Sequence, residues 1–269
     1  MSQINLKKNI ITSGSFRIVI LILSFLISWI SARYLGVTLK GEYSYLITLC
    51  GFMWTVLDLG VYRSYPYIVR KRPDEVQTLF GWTIITMFFE IVVMTSIGVA
   101  FLDFWNKLIG YQLSPVKIIF LVMFVSLNKA FMQLQAIYMG MNRVLENSIS
   151  HFLISVVFFI LLLIGYFALI DVDRIDILLL FNLIGLACSV LYLAFRNRWG
   201  NWYKELNIKT IKLFYSYGFR VFLSSLFIML LIRADIVLIK HFLDFSEVGI
   251  YSLAAHIVDF IQIASNLVG

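Results

Sequence analysis

Residues 148–170, SISHFLISVVFFILLLIGYFALI, run for 23 residues without an Asp, Glu, Lys or Arg. As an α-helix rising 1.5 Å per residue, such a stretch is about 35 Å long. That spans the roughly 30 Å hydrocarbon core of a bilayer. A soluble helix of this length keeps a polar face, and beyond its first turns this one has none. Similar runs lie on either side of it, at 10–32, 44–65, 79–102, 117–140, 176–195, 217–239 and 248–268. The segments between them are mostly short and carry Gly, Pro, Asn or Asp, as turns do. The chain as a whole is 61% hydrophobic and 14% charged, against about half and a quarter in soluble proteins. The sequence predicts an all-α transmembrane protein of about eight spanning helices.

The net charge of +7 does not mark a nucleic-acid binder, because the cations do not gather on one soluble face. They sit mostly in the segments between apolar runs, where Lys and Arg set membrane orientation. With the N-terminus placed in the cytoplasm, eleven of the 22 cations fall in inner segments and six in outer ones. Arg33 and Lys40 are among the outer six, and the other five (Arg17, Arg63, Lys129, Arg220, Arg233) lie within spans. This excess favours a cytoplasmic N-terminus. The apolar stretch after Lys7 and Lys8 is longer than the 7–15 residues of a cleaved signal, so the first span is expected to be retained. Cys50 and Cys188 lie apart within apolar runs and suggest neither a disulfide framework nor a metal site. No cofactor is implied.

The longest polar segment, 196–216, reads as a cytoplasmic linker whose piece Ile208–Tyr215 lies on the membrane surface as a short helix. Around it the sequence repeats. Phe16-Arg17 matches Phe219-Arg220, and Gly41-Glu42-Tyr43-Ser44 matches Gly249-Ile250-Tyr251-Ser252. The order of the matches and their positions relative to the spans point to a duplication. Six spans separate the copies, so the copies run parallel, as in transporters whose two halves are related by an axis along the membrane normal. The expected organisation is a first lobe with its linker at 1–205 and the start of a second lobe at 206–269. A second lobe of two helices is short, so the sequence is expected to be truncated at Gly269.

A charge near the centre of a span costs about 2.5–3.5 kcal/mol and marks a functional position. Lys129 and Gln133 lie four residues apart on one face of the fourth span and are expected to line a cavity. Glu90 stands among apolar neighbours in the third span, as a neutral buried acid or a proton-coupling site. Asp58 is expected to pair with Arg63, or either to reach the interface, and Asp235 to pair with Arg233. A second polar stripe, His256, Asp259, Gln262 and Asn266, marks the last span. Arg17 and Arg220 occupy corresponding places in the two copies. Arginine forms charge-assisted, often bidentate bonds to phosphate, so these residues suit an anionic cargo.

The run Ser13-Gly14-Ser15-Phe16-Arg17, then Arg33-Tyr34-Leu35-Gly36 and Gly41-Glu42-Tyr43-Ser44, resembles the start of Wzx-type O-antigen and capsule-unit flippases. These belong to the multidrug/oligosaccharidyl-lipid/polysaccharide exporter superfamily. The stretch from Arg233-Ala234-Asp235 to Glu247-Val248-Gly249-Ile250-Tyr251-Ser252 resembles the same family. The resemblance implies a two-lobed bundle in the bacterial inner membrane. It further implies alternating access that carries an undecaprenyl-pyrophosphate-linked oligosaccharide outward. On that footing Arg17 and Arg220, then Lys129 and Arg233, are expected to hold the pyrophosphate, with Glu90, Asp58, Asp259, Gln133 and His256 as coupling or cavity groups. Expected partners are the lipid-linked substrate, membrane lipids and other polysaccharide assembly proteins, with no nucleic acid. A cation-coupled drug exporter of the same superfamily is the nearest rival. A membrane polymerase or ligase is another, although no catalytic motif or large loop supports an enzyme. A non-transporting scaffold is the third.

Overall fold

A computed structural model describes residues 3–168, 173–196 and 208–268, with side chains described over 14–168, 173–196 and 208–258. The regular structure among these residues is helical. In chain order the helices are α1 (Gln3–Asp58), α2 (Val61–Lys71), α3 (Val76–Ala100), α4 (Leu102–Ile109), α5 (Pro115–Gly140), α6 (Val144–Phe167), α7 (Arg174–Arg196), α8 (Ile208–Phe242) and α9 (Phe245–Val268). A short 3₁₀ turn, Pro73–Glu75, precedes α3. Six of these helical stretches are long and apolar enough to cross a membrane, and Phe245–Val258 is a shorter apolar helix. Large apolar side chains lie open on their outer faces, Leu231 at 88% exposure and Phe167 at 75%. Water would penalise such a surface, whereas lipid tails do not.

The first two expected spans belong to one 56-residue element, α1, whose helical backbone breaks at Gly36 (φ 75, ψ 175). A loop over Gly36–Gly41 was expected, but the chain turns on a single glycine, which reaches positive φ without a Cβ penalty. A broken helix frees carbonyls, and Arg174 Nη1 donates to one of them, Tyr34 O, at 3.0 Å. Lys40, expected in an outer loop, is buried and donates to Ser31 Oγ at 2.9 Å.

The second expected span stops at Asp58 rather than continuing to residue 65. Leu59 and Gly60 both take positive φ, and the chain restarts as the amphipathic α2. The polar connection after α3 contains α4, a helix that the sequence reading did not anticipate. Ile208–Tyr215 is not a separate surface helix. It forms the first turns of α8, with Thr210 and Phe214 fully buried. The expected division at 205/206 lies outside the described residues.

The chain packs as two compact units. One comprises 1–49, 143–189 and 230–269, and the other 50–142 and 190–229. In the first unit the repeated motifs meet face to face. A Cβ at Gly41 would overlap the Phe245 carbonyl oxygen, and a Cβ at Gly249 would overlap the Val37 carbonyl oxygen. Each glycine thus rests on the carbonyl four residues before the other. The equivalent serines, Ser44 and Ser252, hydrogen-bond at 3.1 Å. In the second unit, α2, α3 and α5 bury Tyr65, Leu79, Phe80, Phe131, Leu134 and Tyr138. Ser114 caps α5 by accepting from Lys117 N at 3.2 Å, with Pro115 at its first turn. The Tyr138 hydroxyl donates to Leu193 O at 2.7 Å. This frame positions the charged groups.

Candidate functional site

The second unit encloses a polar cluster in an apolar surround. Asp58 ends α1, where the break at Leu59–Gly60 leaves the first amides of α2 without helical partners. The Asp58 carboxylate accepts from one of them, Tyr62 N, at 3.2 and 3.3 Å. From α5, Gln133 Nε2 donates to Asp58 Oδ1 at 2.8 Å. One turn earlier on α5, Lys129 is paired with Glu90 of α3. Asp58 is 2% exposed, Lys129 3% and Gln133 2%, so solvent does not compensate these charges.

The balance of the cluster is one ammonium against two carboxyl groups. Lys129 and Glu90 also act electrostatically on Asp58, so the three are one system rather than a pair and a bystander. Two acceptors remain unused, Glu90 Oε2 and Gln133 Oε1, and the Ser126 hydroxyl one turn from Lys129 has no partner. Aromatic groups close the cluster. Tyr65 hydrogen-bonds Thr83 at 3.4 Å and feels the Asp58 charge. Tyr215 of α8 meets the Trp82 ring edge-on at 6.2 Å and feels both carboxylates. An apolar cleft lined by Met53, Leu57, Met94, Trp105 and Val125 also reaches Ser126.

The structure thus brings together four of the nine expected site residues: Asp58, Glu90, Lys129 and Gln133. It corrects their pairing. Glu90 is not alone among apolar neighbours but bound to Lys129. Asp58 does not pair with Arg63, whose Nε donates to the Tyr62 hydroxyl at 2.8 Å on the exposed side of α2. Lys129 is paired with Glu90 inside the unit.

The remaining candidates lie elsewhere. Arg220 is exposed in the same unit, its guanidinium 5.7 Å from the Tyr217 ring centre. Arg17, in the first unit, is exposed and acts electrostatically on His151. Among the described residues neither arginine has a carboxylate partner. Arg233 is half-buried on α8 with partners of its own. Asp235, expected to neutralise it, accepts from the Tyr251 hydroxyl. His256 is exposed on α9, and the side chains of Asp259, Gln262 and Asn266 lie outside the described residues. No group of three or more metal-ligating side chains occurs among the described residues.

Tyr65, Thr83, Trp82, Tyr215 and Ser126 were not anticipated. Ser126 precedes Lys129 by three residues on one α5 face, a spacing that could have found it. The others are recruited from different helices, and no spacing rule reaches them.

The long apolar helices define a multi-pass membrane protein. The family described as polysaccharide biosynthesis protein matches residues 6–269, and the chain belongs to that family. No curated protein and no solved structure matches it.

Proposed function

We propose that the protein is a flippase carrying undecaprenyl-pyrophosphate-linked oligosaccharide units across the bacterial cytoplasmic membrane by alternating access. Membership in a polysaccharide biosynthesis family supports the substrate class. The observation that carries the reading is the pair Arg17 and Arg220, exposed cations on long apolar helices with no carboxylate partner among the described residues. An unmatched charge in such a helix is costly unless it faces water or an anionic ligand. Pyrophosphate supplies that ligand, and Arg233 is a third candidate contact. A cationic drug would meet repulsion at the same places.

On this reading the chain crosses the membrane about eight times from a cytoplasmic N-terminus. The first six crossings build one lobe, and α8 and α9 begin the second. The reciprocal fit of Gly41 and Gly249 supports the duplicated pairs. The buried cluster serves coupling. Asp58, Glu90 and Lys129 together hold one carboxyl group more than the ammonium balances, and that group takes up and releases a proton as the bundle alternates. Other polysaccharide assembly proteins are its expected partners.

In cells depending on this protein for surface polysaccharide, Arg17→Ala and Arg220→Ala are each expected to reduce that polysaccharide about tenfold or more at unchanged protein level, the loss of a charged hydrogen bond. Wild-type polysaccharide in both variants, or efflux of cationic dyes that both variants retain, would overturn the assignment.

A further inference from the structure

At eleven residues, α2 is too short to cross a bilayer, and it is strongly two-sided. Val61, Tyr65, Ile68 and Val69 are buried, while Arg63, Tyr67, Arg70 and Lys71 are exposed. Its start is locked to α8 by a glycine contact, because a Cβ at Gly60 would overlap the Gly218 carbonyl oxygen. Tyr65 meets Phe214 edge-on at 5.4 Å on the buried side. Tyr67 and Tyr217 therefore stand together on the open side, ring centres 5.0 Å apart and hydroxyls at 3.3 Å. Two cations flank them. Lys71 Nζ lies 4.6 Å over the Tyr67 ring, and Arg220 lies against Tyr217.

The hydrogen bonds of this group do not close on themselves. Lysine and arginine only donate, so neither cation can accept a phenolic proton. The two phenols share one bond, and whichever donates, the proton of the other has no acceptor in the group. Neither Lys71 nor Arg220 has a carboxylate partner among the described residues. The Lys71 ammonium, then the Tyr217 hydroxyl, hold the Tyr67 phenol below its ordinary value, in keeping with the excess of donors. What completes the set is an oxyanion that spans a phenolic O–H, an ammonium and a guanidinium. The adjoining Arg70-Lys71-Arg72 run and the exposed aromatic rings suit the depth of lipid headgroups.

We infer that Tyr67, Lys71, Tyr217 and Arg220 form a binding site for a lipid-borne phosphate. Two lipids present that chemistry: an anionic phospholipid of the bilayer, and the isoprenoid pyrophosphate of the proposed cargo. Only the second rests on the flippase reading.

The test is native mass spectrometry of the purified protein in detergent, titrated separately with dioleoyl phosphatidylglycerol and with undecaprenyl pyrophosphate. Arg220→Gln and Lys71→Gln should each weaken retention roughly tenfold, the effect of losing a hydrogen bond to a charged group. Tyr67→Phe/Tyr217→Phe, which keeps both rings, should weaken it about threefold by the smaller value of a neutral donor. Lys107→Gln, the same charge change on α4, should have no effect. Loss confined to the pyrophosphate assigns the site to the cargo. Loss confined to phosphatidylglycerol assigns it to the bilayer, and the flippase reading then stands or falls on the surface-polysaccharide assay alone. Loss of both assigns it to the phosphate they share. Wild-type retention of both lipids by all these variants overturns the site.

Discussion

The two charged clusters of the second unit are built from similar parts and treat charge in opposite ways. Around Lys129, burial is nearly complete and the ammonium is matched by Glu90, with Asp58 held by Gln133 and an amide. Around Lys71 and Arg220 the side chains are open and the cations unmatched, held only against aromatic rings. The difference teaches where each can act. A buried charge must be answered by its own neighbours, because the desolvation penalty is several kcal/mol per ion. An exposed cation keeps its capacity for a visiting anion.

Lys129→Met breaks this contrast most severely, since it leaves two carboxyl groups buried without their cation. Breaking one side of a buried pair costs roughly 3–5 kcal/mol, and a large drop in melting temperature in detergent is expected. Arg220→Gln removes the same charge at the open cluster and should leave stability within about 0.5 kcal/mol. Equal melting of the two variants would dissolve the distinction between the clusters.

Glu90→Gln sharpens the contrast at lower cost, because an amide still accepts from Lys129. Its stability loss should stay near about 1 kcal/mol, the worth of an ordinary hydrogen bond. The pH dependence of polysaccharide export should change, and an unaltered profile would reduce the cluster to a structural role.

The smallest effect concerns α2. Lys71→Gln removes the first cause of the lowered Tyr67 ionisation, so Tyr67 should titrate closer to an ordinary phenol. The tyrosinate absorbance difference between Lys71→Gln and Lys71→Gln/Tyr67→Phe reads that shift. No movement relative to the parent pair would remove Lys71 from the Tyr67 hydroxyl.

What the sequence disclosed follows from which signals are local. Long apolar runs are local, and they identified the helical membrane class. The stripe of Lys129 and Gln133 is a spacing on one helix and was legible in the same way. The partners of that stripe were not, because Glu90 and Asp58 come from other helices, 39 and 75 residues away. Ile208–Tyr215 was misread through Lys209 and Lys212, whose charges suggest a membrane surface. Thr210 and Phe214, one turn apart, were the better guide, since both are buried. Gly36 marked a turn but could not reveal its length, which depends on a backbone angle. The repeat showed which residues are equivalent, and equivalence does not foretell that Gly41 and Gly249 touch.

That touching sets a limit on divergence. In the proposed duplication the two copies can drift at lipid-facing positions, where any apolar side chain serves. At Gly41 and Gly249 the obstacle to a side chain is a carbonyl of the opposite helix, and no replacement elsewhere trims a backbone. Mutation at either position has no second-site suppressor among side chains. The two glycines should therefore outlast the rest of the repeat as its oldest readable trace.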